Sequence, residues 1–500
     1  MKVRLENWTS SLAWDWCISR QRYFATAIPV WECQKCGHPV PASPAQCYVD
    51  PTVSPPPVPA CPDCGGRLKG VEDVFDTWMD SSITPLYNTY WRRDKDKFLK
   101  LFPMSLRAQA HDIIRTWAFY TILRHLLLLD SLPWNEIMIS GFIMAPDGTP
   151  MHTSKGNVID PLPMLDKYGA DAFRYYAAAC TLGMDHAFQS KEVVHGGKLV
   201  LKLWNISKFI ERSAGPFPIK PVPPSAKWGA TDRWILSTFS GMVERATTFL
   251  EAYQFDKAMR EIEGFMWHEF ADHYIEMVKH RKDDSMRYTL YTVGLGLTKL
   301  MAPFMPHVTE EIFDRLFRQA EGGGSIHTSG WPEPMPRDPD VEKKGAKARD
   351  VIAKLRAWKG SKGLRLGQPI GLVHIFGTDS ELLGDFLEDI KGTLRAKDVL
   401  LSRPEGLREE PDKLVPVRPK IGPVFKAKAN SVVDAIGALA PKEAAERLAS
   451  AGKLELTLAD GTKAEIARDM VRVEMRSMVG DARVEIVQGG EMTIIVESGK

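Results

Sequence analysis

The chain has 500 residues, 44% of them hydrophobic and 26% charged, with a formal net charge of +2. That is globular composition, long enough for about three domains. The near-neutral balance excludes a global field for nucleic acid, so any RNA contact must come from local patches. The first residues lack the apolar stretch of a signal peptide. The tightest apolar cluster, Leu126 to Leu129, is too short to span a bilayer. A cytoplasmic chain is expected, with neither membrane nor DNA as a partner.

Trp8, Trp14 and Trp16 open the chain and predict an aromatic core segment. Of the seven cysteines, four form two knuckles, Cys33/Cys36 and Cys61/Cys64, separated by roughly 25 residues, which is the ligand layout of a four-cysteine zinc ribbon. Gly37 and Gly65 permit the bends. With four thiolates the tetrahedron is complete, so the metal would be structural; Cys47 and His38 are not needed. Residues 71–82 read as a strand running into a helix, with Asp80, Ser81 or Ser82 as cap. Ile113, Ile114, Trp117, Tyr120, Thr121 and Arg124 recur at helical spacing and predict an amphipathic helix packed on a sheet.

Ile137 to Met144 is a short apolar run, expected to be a buried parallel strand. It leads through a Pro146–Pro150 turn to His152-Thr153-Ser154-Lys155-Gly156-Asn157. Small hydroxyls, a cation and a glycine at a strand's carboxyl end suit polyphosphate; a plain surface loop is the alternative. Pro161 to Cys180 reads as loop plus helix. Pro216, Pro218, Pro221, Pro223 and Pro224 predict a stiff linker. Residues 228–320 are helical in pattern, with Leu236, Phe239, Val243, Ala246 and Leu250 facing Phe255, Ala258, Ile262, Phe265 and Tyr274. His268 and His273, five apart, would diverge around an α-helix and so make no zinc pair. Glu342 to Arg365 is a strongly cationic helical stretch and the best local candidate for RNA backbone contact; a solvated basic helix is the alternative. Lys279 to Lys282 could also touch phosphates. Alternating Leu454, Leu456 and Leu458 before Asp460-Gly461 predict a hairpin. Val484/Ile486 and Met492/Ile494/Val496 flank Gly489-Gly490 in the same way.

Several of these segments resemble class I aminoacyl-tRNA synthetases, in the valyl branch of archaeal type. WDWCISRQ (Trp14 to Gln21) with IPVW (Ile28 to Trp31), DVFDTWMDSS, HDIIRTW, KGNVIDP (Lys155 to Pro161), KYGADAFRYY and KLWNISKFI carry the likeness, as does APFMPHVTEEIF in the helical part. The resemblance implies a partial Rossmann-like α/β nucleotide-binding domain with a zinc ribbon, an all-α anticodon-binding bundle and a small α+β C-terminal module. Their expected spans are 1–184 (ribbon 31–70), 185–335 and 341–500. It implies an amino-acid pocket of Asp76, Trp78, Ile113 and Trp117, with Ser81 alongside, and ATP contacts from His111, Asp112, Gly156 and Asn157. The catalytic signature loop falls on Pro150, Met151, His152, Thr153 and Ser154. Both lysines of that motif are missing: Thr153 stands at the pivotal position, and Lys155 is the nearest cation.

The resemblance further implies ATP and Mg2+, structural Zn2+ on Cys33, Cys36, Cys61 and Cys64, and valine and tRNA(Val) as substrates. No His-Ile-Gly-His segment, first half-sheet or editing insertion is found. The expected reading is therefore the C-terminal half of a split or truncated ligase, paired with an N-terminal polypeptide that carries the missing parts. The alternative is a non-catalytic tRNA-binding paralogue.

Overall fold

The computed structural model describes residues 2–223, 228–489 and 491–497. Pro224 of the expected linker and Gly490 of the second expected hairpin lie outside them. The chain divides into two compact units. One comprises residues 1–167, 176–193 and 250–256; the other comprises 168–175, 194–249 and 257–500.

The first unit contains the ribbon, a three-stranded antiparallel sheet of β1 (Val30–Cys33), β2 (Pro39–Pro41) and β3 (Leu68–Gly70), with β1 in the middle. Next come β4 (Met104–Ala110), helix α1 (Trp117–Leu129) and β5 (Trp134–Ser140). β4 and β5 pair in parallel across this right-sized crossover. A second parallel pair joins β6 (Ile143–Met144) to β7 (His186–Ala187). The expected strand at 137–144 is thus two strands, parallel as predicted but not buried. Ile137, Phe142 and Ile143 are 38–40% exposed, because the sheet of β4 and β5 has only two strands. α1 buries Ala118, Thr121 and His125 but leaves Leu123, Leu126, Leu127 and Leu128 exposed, so only its narrow face packs. The tryptophans at the start form no core either. Trp14 is 71% exposed, and Trp8 sits on a helix, Lys2–Ser11, with no buried residue. The segment after the loop is helical from its first residue, as Pro161–Tyr168 and Ala170–Ala179, broken at Gly169, whose φ is +82°.

The second unit is helical through Ala230–Glu251, Phe255–Gly264, Ile275–Val278, Asp284–Met301 and Pro306–Leu316. The predicted facing positions Phe239, Val243, Ala246, Ala258, Ile262 and Tyr274 are buried. Residues Phe265–Tyr274 form a π-helix, with Ile275 N–H donating to Phe270 O. The α-helical spacing used for His268 and His273 therefore does not describe this segment; His268 faces Asp272 at 3.6 Å. The proline linker is tied down at Phe217, which is buried and rings with Tyr291 and Phe317.

The cationic stretch is helix α2 (Pro339–Ser361), N-capped by Asp338. The cations of the stretch divide: Lys343, Lys354 and Arg365 make no ion pair among the described residues. Lys344, Lys347, Arg349, Arg356 and Lys362 are held in ion pairs, and Lys359 is fully buried. Beyond it a six-stranded sheet runs in the order 396–400, 370–377, 492–497, 482–489, 471–479, 407–416; only the first pair is parallel. The predicted hairpin forms between Lys453–Thr457 and Lys463–Ala467. Gly461 turns it at φ +79°, and Leu454, Leu456 and Leu458 join a small core with Ile421, Val432, Ile436 and Ile466.

Candidate functional site

The four expected ligand cysteines converge. Their sulfurs all lie within 4.8 Å of one another, the one such metal-capable group among the described residues. Cys33–Cys64, Cys36–Cys61 and Cys36–Cys64 sulfur separations are 3.5, 3.6 and 3.3 Å. A zinc ion with four thiolates at ~2.3 Å requires about 3.8 Å, so the cluster needs only slight expansion. Both knuckles close identically. Gly37 N–H donates to Cys33 O and Gly65 N–H to Cys61 O, each at 2.9 Å, with both glycines at positive φ. The N–H groups of Cys36 and Lys35 hold the Cys33 thiol down to about 6, while the neighbouring Cys36 sulfur pushes Cys64 up to about 12. Four thiolates this close need a cation to ionise together. The donor set therefore fits zinc. Cys47 is exposed and outside the cluster, and His38 is taken by Asp63 at 2.6 Å.

The expected nucleotide contacts lie at the carboxyl end of β4. The helix Lys2–Ser11 and the turn His111–Ile114 bound an open cleft of about 680 Å³, lined by Arg4, Asn7, Trp8, His111, Asp112 and Arg115. Arg4 faces His111 Nδ1 at 3.1 Å and donates to His111 O. A guanidinium only donates, so Nδ1 accepts and the proton sits on Nε2. Nε2 lies 2.8 Å from Asp185. The same carboxylate oxygen accepts Phe142 N–H at 2.8 Å, so one residue ties the cleft to the start of β6. Asp112 is exposed and has no hydrogen bond or ion pair among the described residues, leaving both oxygens free for a hydroxyl ligand. Arg4 and Asp185 carried no signal in the sequence; Asp185 is 74 positions from His111.

The expected pocket residues split into two roles. Asp76 is buried and accepts three hydrogen bonds. It caps the helix Thr77–Ser81 through Trp78 N–H, pairs with Arg20 at 2.6 Å and accepts Trp16 Nε1 at 3.1 Å. The cap is thus Asp76, not Asp80, Ser81 or Ser82, because its carboxylate precedes the first turn. Asp76 thus anchors the first turn that carries Trp78. Trp78, Ile113 and Trp117 are half-buried. The elements bearing Trp78 and Trp117 are clamped together by Trp117 Nε1 to Ser81 O at 3.2 Å and by Arg124 to Met79 O. Behind Trp117 lies Arg107, 3.1 Å from the ring centre. It is buried, and burial pushes it down to about 10. Trp16 stacks on Tyr120 at 3.7 Å.

The signature-like loop is braced by Asn157. Its oxygen accepts His152 N–H, and its nitrogen donates to Thr149 Oγ1 and Pro150 O. Asn157 thus closes the turn with its amide. Thr153–Lys155 form a single turn, ended by Gly156 at φ +64°. The side chains of Thr153, Ser154 and Lys155 are exposed and have no hydrogen-bond partner among the described residues; Met151 is half-buried. The loop thus offers two hydroxyls and one ammonium to an incoming anion.

Two family models match this arrangement. Residues 1–189 match "tRNA synthetases class I (I, L, M and V)" and residues 232–374 match "Anticodon-binding domain of tRNA ligase". The fold agrees with a solved LeuRS of Agrobacterium radiobacter K84 in complex with tRNA and LeuAMS. That likeness has a TM-score of 0.52 at 20% identity, over 67% of this chain and 46% of that one. The chain thus carries class I tRNA synthetase and anticodon-binding domains. More particularly, it is homologous over 99% of its length to archaeal valine–tRNA ligases. It is 40% identical to that of Methanothermobacter thermautotrophicus and 38% identical to that of Pyrococcus furiosus. The chain spans 56% and 57% of the length of those two relatives. Among the described residues no helix is long and apolar enough to cross a membrane.

Proposed function

We propose that the chain takes part in ATP-dependent attachment of valine to tRNA, as the C-terminal half of a split or truncated ligase. The observation that carries this is the homology to valine–tRNA ligases along 99% of the chain. The half-sheet of β4 and β5, with its exposed apolar side chains, supports a polypeptide partner bearing the other half of the sheet. Domain spans of 1–184, 185–335 and 341–500, and a cytoplasmic location, belong to the same reading.

Trp78, Ile113 and Trp117 wall the valine side chain; Asp76 holds Trp78 in place. Asp112 binds the ribose of ATP. The carboxylate of valine attacks the α-phosphate, releasing pyrophosphate, and the terminal ribose hydroxyl of tRNA then takes the valyl group. Within this chain the work is positioning and charge stabilisation. Lys155, with the hydroxyls of Thr153 and Ser154, offsets charge on the leaving pyrophosphate. Mg2+ bound with ATP would neutralise phosphate charge. Zinc on the four cysteines would hold the ribbon. The second reading, a non-catalytic tRNA-binding paralogue, is favoured by Thr153 at the pivotal lysine position.

Valine-dependent ATP–pyrophosphate exchange tests the proposal, first with the chain alone and then with the N-terminal half of a related ligase. Exchange in the mixture supports the split ligase. No exchange in either case, with tight tRNA binding by the chain, supports the paralogue.

A further inference from the structure

Where helix α2 passes the helix Ile275–Val278 and helix α3 (Leu387–Leu394), a concave cleft of about 380 Å³ opens. Its walls carry Lys279, Arg356, Lys359 and Arg395 against the single carboxylate of Glu276, a formal excess of three positive charges. His280 also lines it, seated on Gly392, where an added Cβ would meet the ring at 2.4 Å. Burial pushes the His280 imidazole down, toward the neutral form; its Nε2 faces Asp389 at 3.4 Å, which Arg281 also pairs. Glu276 is shared between Lys279 and Arg356.

Two features separate this cleft from an ordinary basic surface. The first is Lys359. It is fully buried, and its ammonium donates to the carbonyls of Leu366, Gln368 and Leu394 at 3.2, 2.6 and 2.6 Å. Those dipoles satisfy its hydrogen bonds, yet it has no carboxylate partner among the described residues. The floor of the cleft therefore holds a fixed charge in a low-dielectric setting, where its field is screened least. The second is Arg395, which ends α3 in the left-handed region at φ +51°. Glycine takes this position without steric cost. An arginine here places its guanidinium beside Gly367, 3.7 Å from where a Cβ would stand, and it makes no ion pair among the described residues.

We propose that this cleft binds a phosphodiester of RNA, with Arg395 and Lys279 donating to the phosphate oxygens and Lys359 supplying charge from below. The inference rests on the tRNA-ligase reading and extends it. The anticodon-binding match ends at residue 374, whereas Arg395 and Gly392 lie beyond it, so the C-terminal module completes the site. Guanidinium and ammonium groups around a single hollow suit one bidentate phosphate rather than a base edge.

The test uses the full chain and a fluorescently labelled tRNA(Val) transcript, with binding followed by anisotropy at several salt concentrations. Arg395→Gly removes the guanidinium while keeping the backbone conformation; Lys279→Ala removes the ammonium without touching the core. The double variant is expected to bind about tenfold more weakly, with the salt slope reduced by about one to two. Unchanged affinity and slope would overturn the proposal. So would saturable thermal stabilisation by inorganic phosphate, lost in the double variant, that the transcript does not compete away; that result would assign the cleft to a free anion. If the wild-type chain binds no tRNA at all, the ligase reading fails with it, which the variants alone would not show.

Discussion

Gly66 offers the sharpest check on the ribbon. A Cβ there would stand 2.7 Å from Cys33 Sγ, 3.0 Å from Lys35 Cβ and 3.2 Å from Cys64 Sγ. Ordinary non-bonded contact is about 3.5–4.0 Å, so the methyl of Gly66→Ala must push the Cys33 sulfur by roughly 1 Å. Metal–ligand distances tolerate about 0.2 Å. All four thiols remain, yet the tetrahedron is distorted. Loss of zinc affinity should therefore match that of a disrupted outer shell, about 10- to 100-fold. At about 1.4 kcal/mol per decade this is roughly 1.4–2.8 kcal/mol. Gly65→Ala is the control: its φ of +68° strains the backbone, but nothing lies within 4 Å of the added methyl. Competition against a chromophoric chelator measures both. The reasoning is refuted if Gly66→Ala binds zinc as tightly as the wild type, or if the wild-type chain takes up no stoichiometric zinc.

Asp76→Ala removes a helix cap and strips Arg20 and Trp16 of their acceptor. With Arg20 one-third exposed, the expected loss is about 2–3 kcal/mol, read from urea unfolding by tryptophan fluorescence; Asp76→Asn should lose less, since its amide oxygen can still cap. The Phe142 N–H, with His111, holds Asp185 below the usual carboxylate range. Its tie is therefore complete above the unfolded value near pH 4 and lost as pH falls through the lower folded value. Amide exchange at Phe142 should accelerate only in that acid window, and in Asp185→Ala, which removes the acceptor, it should be fast and independent of this titration. Lys155→Ala should lower pyrophosphate exchange by a reconstituted enzyme at least tenfold; unchanged exchange would remove Lys155 from the catalysis.

Much of the site was legible because its chemistry is local. Each cysteine knuckle is a four-residue turn, and the hairpin at Asp460-Gly461 is set by alternation and turn residues alone. The helices around Phe239, Val243 and Ile262 follow from three-four spacing. What spacing could not show was which side of an element would be covered. The apolar run at Ile137 to Met144 reads as core by composition, and so do the leucines of α1. Both lie open because coverage depends on a neighbouring layer, which a one-dimensional pattern does not contain. The basic stretch of α2 shows the same limit from the electrostatic side. Its cations read as one surface, but partners such as Glu269, Asp379 and Glu485 come from elsewhere in the chain and pair Arg349, Lys347 and Lys362.

Sequence by itself therefore determined which four cysteines cluster, the hairpin turn at Asp460-Gly461, the helical bundle and the family resemblance, since each rests on residues near in the chain or on motif identity. Tertiary structure alone brought Arg20 and Trp16 to Asp76, braced the loop through Asn157 and carried Asp185 to His111. It also assembled Lys279, Lys359 and Arg395 around one hollow. Those outcomes turn on which distant groups meet, and a side chain's role is settled by the partner that satisfies it or leaves it free.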